Sequence, residues 1–322
     1  MRRALQLARQ GAPHTTPNPM VGAVVVCGDR IIGEGFHRRC GEAHAEVNAI
    51  AAVADRSLLP SSTLYVTLEP CSHQGRTPPC ARLIIEMGIP RVVVGTLDPF
   101  ERVSGRGVAM LREAGVQVEV GVLEAECRAL NRRFLTAHTL RRPWVQLKWA
   151  QSADGFMAAP AGEPRLRLSS PLTLCLMHRE RAMADAIVVG AGTILADDPS
   201  LTPRVLDAPL LRVVLDEHGR VPPTCRVLSD GGNTLVLNGY HAPTQWLAQL
   251  YAQGITSVMV EGGPTVLTQL IDSGLWDEAR IETAPFTVGQ GLRAPTIIGD
   301  VVGRLQVDGR KIITLQNPAK SR

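Results

Sequence analysis

The hydrophobic residues of this chain form short runs that alternate between two periodicities. Compact β-branched runs bounded by Gly, Pro or Asp predict strands over residues 21–27, 63–68 and 91–95. Between these runs, apolar residues at positions i, i+3 and i+4 predict helices over residues 44–54 and 80–88. Such an alternation predicts an α/β fold in which helices cover a sheet.

The same alternation restarts after a basic segment that ends at Pro143. Further strands are predicted over residues 144–150, 186–190, 211–216, 233–238 and 255–263. A helix is predicted over residues 264–275, with Pro264 in its first turn. We therefore predict two domains, residues 1–142 and 143–322.

Composition and charge are those of an ordinary globular protein. The chain has 322 residues, is 45% hydrophobic and carries a net charge of +4, which permits acidic small molecules but does not demand nucleic acid. It contains no apolar run of the ~20 residues that a membrane span needs, and its first residues, MRRALQLARQG, lack the apolar stretch of a signal peptide. The seven scattered cysteines favour a reducing compartment, so we expect a cytoplasmic protein.

Candidate metal chemistry is concentrated in the first domain. His44 and Glu46 form an H-A-E motif, Cys71 follows Pro70, and Cys80 begins a predicted helix. Catalytic zinc takes three protein ligands and keeps one position for water, while a nearby carboxylate can move protons to a leaving amine. The H-x-E and P-C pattern is typical of zinc deaminases. We therefore predict His44, Cys71 and Cys80 as zinc ligands and Glu46 as the catalytic residue.

The spacing of the two cysteines departs from the usual deaminase pattern. Eight residues, rather than two, separate Cys71 from Cys80, and the intervening loop carries Arg76, whose guanidinium suits an anionic substrate group. A structural zinc site with Cys40 or His73 as fourth ligand remains an alternative, as does a pair of ordinary buried thiols. The other cysteines are interpreted as core or incidental thiols: Cys27, Cys127, Cys175 and Cys225.

The first domain resembles the deaminase domain of the bifunctional riboflavin-biosynthesis deaminase–reductases over four stretches: TPNPMVGAVVV, GEAHAEVNAI, TLYVTLEPCSHQGRTPPC and GRGVAMLREAGVQV. The second domain resembles their reductase domain over LKWAQSADGFMA, GAGTILADDPSLTPR, VMVEGGPTVL and TAPFTVGQG, in the expected order. The resemblance implies a cytidine-deaminase-like three-layer domain followed by a dihydrofolate-reductase-like domain.

The same resemblance implies two consecutive reactions on a phosphorylated pyrimidine. The first is zinc-dependent hydrolytic deamination of 2,5-diamino-6-(5-phosphoribosylamino)pyrimidin-4-one, and the second is reduction of the ribosyl group to a ribityl chain by NADPH. It also implies a homo-oligomer, either a dimer or a tetramer, with no nucleic-acid or membrane partner.

Residue roles carry over to matching positions of the first domain. The resemblance implies that Asn18, Arg76, Thr77 and Asp98 contact the deaminase substrate. The asparagine amide can both donate and accept hydrogen bonds to a pyrimidine. Phe100 stands where the family commonly has asparagine, so this side chain either stacks on the substrate or simply packs.

In the second domain, the resemblance implies cofactor contacts by Ala150, Thr193, Asp197, Gly263, Pro264 and Thr265, and substrate contacts by Lys148, Asp154, Leu201, Arg204 and Glu261. Arg167 lies at about the place where many members have tryptophan, and we expect it to stack on NADPH or pair with its phosphate. Ser169 and Ser170 are candidates for substrate binding or helix capping.

The glycine-rich turn at residues 261–265 supports the cofactor assignment. Its backbone amides can bind a phosphate at a helix N-terminus, although a plain strand-to-helix turn would have the same sequence. A Rossmann fingerprint of the G-x-G-x-x-G type is absent from the turn and from residues 190–193.

Three other functions remain open at this stage. A nucleic-acid base deaminase shares the H-A-E and P-C motifs, but it would usually have the shorter cysteine spacing and a strongly basic surface. A zinc-stabilised binding module would hold the metal without catalysis. An enzyme that keeps one activity, with the other domain degenerate, would explain the departures at Phe100 and Arg167.

Overall fold

The computed structural model describes residues 1–72, 78–99, 104–160, 162–206, 208–239 and 241–318. The chain forms two units, Met1–Arg141 and Arg142–Arg322. None of the helices in the described ranges combines the length and the hydropathy that a membrane crossing requires.

A five-stranded sheet lies at the centre of the first unit. Its strands are β1 (Gly22–Cys27), β2 (Arg30–Phe36), β3 (Ser62–Leu68), β4 (Arg91–Thr96) and β5 (Gln117–Val120). They are arranged in the order β2-β1-β3-β4-β5, with β1 antiparallel to both of its neighbours and with β3, β4 and β5 parallel. Parallel strands bring their carboxyl ends to one edge of the sheet, where loops can carry functional side chains.

Helices cover both faces of this sheet. They are α1 (Arg2–Ala8), α2 (Ala45–Ala51), α3 (Cys80–Glu86), α4 (Arg106–Glu113), α5 (Glu124–Leu130) and α6 (Arg132–Leu140), with single 3₁₀ turns at Arg9–Gly11 and Arg56–Ser61. Apolar residues of α2, α3 and α4 pack on one face, whereas Ala4 and Leu7 of α1 pack on Val24 on the other. The first unit therefore has three layers.

An eight-stranded sheet forms the centre of the second unit. The strands of this unit are β6 (Trp144–Gln151), β7 (Phe156–Ala158), β8 (Ala186–Gly190), β9 (Leu211–Asp216), β10 (Thr234–Asn238), β11 (Ser257–Glu261), β12 (Glu278–Thr283), β13 (Leu292–Arg293), β14 (Asp300–Val307) and β15 (Arg310–Gln316). The order in the large sheet is β10-β9-β8-β11-β6-β12-β15-β14, while β7 pairs with β13. Strands β10 to β12 are parallel along this order, and β15 and β14 add an antiparallel edge.

The helices of the second unit are α7 (Pro171–Arg181), α8 (Ala191–Asp197), α9 (Arg226–Ser229), α10 (Pro243–Ala252) and α11 (Pro264–Asp272). The largest apolar cluster joins Leu147, Val188 and Val260 of the central strands to Trp246 of α10 and Leu267 of α11. The α/β class predicted from the sequence is confirmed in both units.

The strand predictions built on apolar runs are confirmed, and residues 186–190 and 211–216 match β8 and β9 end to end. The helix predicted from residue 44 begins instead at Ala45, because His44 has extended backbone angles and caps α2. Seven strands were missed: β2, β5, β7, β12, β13, β14 and β15. Strand β14 is almost wholly exposed, and β12 carries the buried charges Arg280 and Glu282, so neither has the apolar run that marks a strand.

Candidate active sites

The three predicted metal ligands meet at one point of the first unit. The candidate ligand atoms of His44, Cys71 and Cys80 all lie within 4.8 Å of one another. Nδ1 of His44 is 3.6 Å from the Cys71 sulfur and 3.3 Å from the Cys80 sulfur. Among the described residues this metal-binding group has three members; Cys40 is exposed and outside it, and His73 lies outside the described residues. One imidazole and two thiols fit a zinc site that retains a position for water.

Local backbone structure brings these ligands together. His44 caps α2, Cys71 follows the end of β3, and Cys80 is the first residue of α3, directly after Pro79. The amide of Cys80 donates to the Cys71 sulfur over 3.2 Å, and the amide of Ala81 donates to the Cys71 carbonyl over 3.1 Å. The start of α3 therefore fixes the backbone of Cys71 despite the long spacing between the two cysteines.

The two thiols have opposite protonation preferences, because the hydrogen bond that lowers the pKa of Cys71 raises, together with burial, the pKa of Cys80. A hydrogen bond from the Cys80 thiol lowers the pKa of Cys71 to about 4; burial opposes this shift, while His44 and the Cys80 amide add to it. Because the thiolate is the form that binds metals, the protein holds at least one sulfur ready for a cation.

Glu46 lies beside this group in the first turn of α2 and is 3% exposed. Burial, followed by the charge of Cys71, raises the pKa of Glu46 to about 7, while the charge of His44 opposes the shift. A carboxylate that both accepts and releases a proton near neutral pH suits a general acid–base role.

The side chain of His37 anchors that of Asn18. Nδ1 of His37 lies 3.1 Å from the carbonyl oxygen of Ala43, and its Nε2 lies 3.1 Å from Nδ2 of Asn18. Since Nδ1–H donates to the carbonyl, Nε2 accepts from the asparagine amide. Burial is the main cause that lowers the pKa of His37, which favours this neutral form.

The side-chain amide of Asn131 fixes the backbone at Met20, two residues after Asn18. Asn131 accepts from the Met20 amide and donates to the Met20 carbonyl, each over 2.9 Å. Asn131 lies between α5 and α6, more than a hundred residues along the chain from Met20. No sequence signal singled it out, because its role depends on a contact between distant segments.

The remaining predicted substrate contacts of the first unit are only partly described. Asp98 is buried just after β4, and its backbone amide donates to the side chain of Glu69. Arg76, Thr77 and Phe100 lie outside the described residues. Their roles stay predictions.

In the second unit, four predicted cofactor residues meet at the ends of the neighbouring strands β8 and β11. The hydroxyl of Thr193 accepts from the amide of Gly263 over 3.3 Å, and α11 begins with Pro264 and Thr265. A Cβ on Gly262 would lie 2.8 Å from the Thr193 hydroxyl, whereas a Cβ on Gly263 would meet nothing within 4 Å. Close packing behind the turn and open space in front of it fit a phosphate at the start of α11.

The other predicted cofactor residues have partners of their own. Asp197 is the last residue of α8 and accepts a hydrogen bond from Arg165 over 3.0 Å. Arg167, two residues after Arg165, is exposed. Ala150 lies in β6, in register with Glu282 of β12. The partner of Asp197 is therefore Arg165, which no sequence pattern had indicated.

A cluster of charged residues occupies the strand ends next to α7. Arg181 donates to both carboxylate oxygens of Glu261, over 3.1 and 3.0 Å, and to the carbonyl of Thr202 over 3.1 Å. Lys148, inside β6, is the neighbour of Glu261 on the adjacent strand. Burial opposes ionisation of Glu261, but the charges of Arg181 and Lys148 outweigh it and lower the pKa of Glu261.

Two further predicted residues border this cluster. Leu201 is 4% exposed and has a φ of +56°, and Arg204 is exposed three residues later. Burial, followed by the charges of Arg181 and Arg204, lowers the pKa of His178 on α7. Arg181 is already paired with Glu261, so the exposed guanidinium of Arg204 is the one that suits an anionic group of a substrate.

Asp154 has partners in its own turn and in a distant segment of the second unit. Its carboxylate accepts from the Ser152 hydroxyl over 2.6 Å and from the Gly289 and Val288 amides over 2.7 and 3.1 Å. These hydrogen bonds, that of Ser152 first, lower the pKa of Asp154 to about 2. The carboxylate thus ties the turn after β6 to residues 288–289, and contact with a substrate remains a prediction.

The two serines before α7 have separate roles. Ser170 caps α7, because its hydroxyl accepts a hydrogen bond from the Thr173 amide over 3.2 Å. Helix capping was one of the two roles expected for this serine. Ser169 donates to Glu282 over 2.8 Å, and the Thr173 hydroxyl donates to the same carboxylate over 2.7 Å. Strand β12 therefore holds the start of α7 through a buried carboxylate.

Known proteins resemble this chain over both units. The family described as RibD C-terminal domain matches residues 143–318, and the family described as cytidine and deoxycytidylate deaminase zinc-binding region matches residues 1–96. The riboflavin biosynthesis protein RibD of Aquifex aeolicus is 40% identical over 325 residues, covering 94% of this chain and 89% of that protein. RibD of Bacillus amyloliquefaciens is 41% identical over 326 residues, covering 92% and 86%.

Solved structures are similar over the whole chain. Acinetobacter baumannii RibD in its form 2 has a TM-score of 0.91 and 34% identity, covering 98% of this chain and 97% of that one. A diaminohydroxyphosphoribosylaminopyrimidine deaminase/5-amino-6-(5-phosphoribosylamino)uracil reductase from Thermotoga maritima has a TM-score of 0.89 and 36% identity, with the same coverage.

Proposed function

Because this chain belongs to the RibD family of riboflavin-biosynthesis proteins, we propose that residues 1–142 hydrolyse the amino group of a phosphorylated aminopyrimidine and that residues 143–322 then reduce its ribosyl group. The protein is a deaminase and a reductase of riboflavin biosynthesis, and its cofactors are zinc and NADPH. The substrate that we propose is 2,5-diamino-6-(5-phosphoribosylamino)pyrimidin-4-one.

In the first reaction, His44, Cys71 and Cys80 would hold the zinc ion, and Asn18 would orient the pyrimidine. Zinc, when bound, lowers the pKa of a coordinated water to about 7. Glu46 moves one proton of the attacking water to the ring nitrogen, and then moves the second proton of that water to the amine, which leaves as ammonia while the C=O bond forms. Its buried position beside the ligands and its raised pKa support this role, because a proton shuttle must change protonation state near neutral pH.

In the second reaction, Thr193, Gly263, Pro264 and Thr265 would bind a phosphate of the cofactor, with Ala150, Arg167 and Asp197 around it. NADPH supplies the hydride. We propose that the remaining predicted residues position the phosphorylated sugar: Lys148, Asp154, Leu201, Arg204 and Glu261. The bidentate pair of Arg181 and Glu261 supports this arrangement, because it keeps the side chain of Glu261, the last residue of β11, in one orientation.

The observation that carries the proposed function is the convergence of one imidazole, two thiols and a buried carboxylate. A purified sample should contain one zinc per chain, release ammonia from the pyrimidine substrate and then oxidise NADPH. Ammonia release without NADPH oxidation would favour the alternative in which the second domain is degenerate. Zinc binding without either reaction would favour a binding module.

We expect metal removal to separate the two activities. Because the zinc ligands lie in the first unit, dialysis against a chelator should abolish ammonia release and leave reduction of independently supplied deaminated substrate unchanged. Added zinc should restore ammonia release. Loss of both activities on chelation would contradict the assignment of the metal to deamination alone.

We also propose that the protein is a homo-oligomer. Strand β14 is an edge strand with exposed apolar side chains at Val301, Val302 and Leu305, a surface that another chain could cover. Size-exclusion chromatography with light scattering should give the mass of a dimer or tetramer. The double variant Val302→Lys, Leu305→Lys should have fewer subunits per particle. Leu140→Lys, which alters an exposed apolar residue of the first unit, is the matched control. A monomeric wild type would contradict the proposal.

A further inference from the structure

The carboxylate of Glu69 joins two segments of the first unit. One oxygen accepts from the backbone amides of Asp98 and Gly105, over 3.2 and 3.0 Å. The other accepts from the amides of Gly107 and Val108, over 2.9 and 3.1 Å. Glu69 is 4% exposed, so all four bonds form away from bulk water.

The start of α4 also lies directly against the backbone that follows Glu69. A Cβ on Gly107 would be 1.9 Å from the carbonyl oxygen of Pro70, so only glycine allows this approach. Gly105 caps the helix with a φ of +74°, in the left-handed region that favours glycine. Both glycines of the G-R-G sequence at residues 105–107 therefore have a physical reason, and both bring α4 close to the segment that enters Cys71.

A buried carboxylate at this place requires compensation. Removing a charge from water is costly unless hydrogen bonds replace its solvation, and charge-assisted bonds to backbone amides do so efficiently. Gly105 offers no side chain to cap α4, so Glu69 satisfies the amides of the first turn from a distant strand end. The same carboxylate also accepts from the backbone amide of Asp98, so it fixes both the segment after β4 and the start of α4.

We propose that Glu69 is a positioning residue for deamination, which sets the backbone of Asp98 and the start of α4 relative to the zinc ligand Cys71. This inference rests on the proposed function of the first unit. Glu69 acts through these neighbours and does not touch the reacting atoms. The ligand Cys71 keeps its own bonds to the start of α3, so the metal site stays intact when Glu69 is altered.

The test is Glu69→Gln in the full-length zinc enzyme. The amide oxygen can replace one carboxylate oxygen, but the amide nitrogen then faces two backbone N–H donors, so the variant loses the bonds either to Asp98 and Gly105 or to Gly107 and Val108. We expect KM for the pyrimidine to rise by about 10- to 100-fold, because displaced binding groups weaken substrate orientation. Zinc content and the reductase activity of the same sample should not change, and kcat should change much less than KM.

Two further variants make the result decisive. Glu119→Gln, which removes the carboxylate of the exposed pair between Arg91 of β4 and Glu119 of β5, should leave KM unchanged. Glu69→Asp keeps the charge but is too short to reach both segments, so it should show a smaller rise in KM than Glu69→Gln.

Three outcomes are distinguishable. A wild type that releases no ammonia refutes the proposed function, whatever Glu69 does. An active wild type with unchanged KM in Glu69→Gln overturns the positioning role. Loss of zinc together with activity in both Glu69 variants also overturns it, since the residue would then support the fold of the unit and not the substrate loop.

Discussion

We expect Glu46→Gln to reduce ammonia release by about 100- to 10,000-fold, the contribution typical of a general acid–base group. The amide has the shape of the carboxylate, but it cannot carry a proton from water to the departing amine. Glu46 is not a member of the metal-binding group, so the variant should retain zinc. Reduction of independently supplied deaminated substrate by the second unit should be unchanged.

The measurement compares ammonia release, zinc per chain and NADPH oxidation in the same preparation. Glu113→Gln is a suitable control, because Glu113 is an exposed carboxylate at the end of α4. Near-normal deamination by Glu46→Gln with full zinc content would show that another group moves the protons.

The second large effect concerns stability. We expect Arg181→Met to lower the free energy of unfolding of the second unit by about 3–5 kcal/mol, the usual result of removing one partner of a buried ion pair. Arg181 and Glu261 have side chains that are 8% and 14% exposed, so Glu261 would keep a charge with little solvent around it. The carbonyl of Thr202 would also lose its bond to Arg181.

Tryptophan fluorescence isolates this effect, because all four tryptophans of the chain lie in the second unit, at positions 144, 149, 246 and 276. In a denaturant titration, the fluorescence midpoint of the variant should therefore fall to a lower denaturant concentration. Ammonia release in native buffer, which depends on the first unit, should not change. Arg179→Met removes an exposed arginine of the same helix and should leave the midpoint unchanged. Equal shifts in the two variants would contradict a special role for the Arg181–Glu261 pair.

Sequence patterns located most of the central strands and the metal ligands. Apolar β-branched runs identify buried parallel strands such as β8 and β11, because both faces of these strands lie in the core. The zinc ligands and Glu46 were recognisable because a metal needs particular donor atoms, and few residue types supply them. The glycines of residues 261–265 were recognisable for a similar reason, since a phosphate requires close access to backbone amides.

The supporting residues could not be found in this way. His37, Glu69, Asn131 and Arg181 are ordinary polar residues in the sequence, and each acquires its role from a partner brought near by the fold. Arg181 is one of several basic residues in the M-H-R-E-R segment, and only its burial against Glu261 distinguishes it from the exposed Arg179. Strand β12 was missed because its buried charges interrupt the apolar run; the fold compensates them, since Ser169 and Thr173 donate to Glu282 and Glu180 of α7 pairs with Arg280.

By itself, the sequence determined the α/β class and singled out the candidate donor set for zinc, the proposed catalytic carboxylate and the glycine-rich turn of the second unit. These depend on side-chain chemistry and local periodicity, which a linear chain already contains. Only the tertiary structure decided which amides hold the Asn18 loop, which carboxylate joins Asp98 to α4, and which arginine holds Glu261. Such bonds form between segments up to 111 residues apart, and their free energy depends on burial, which no local pattern specifies.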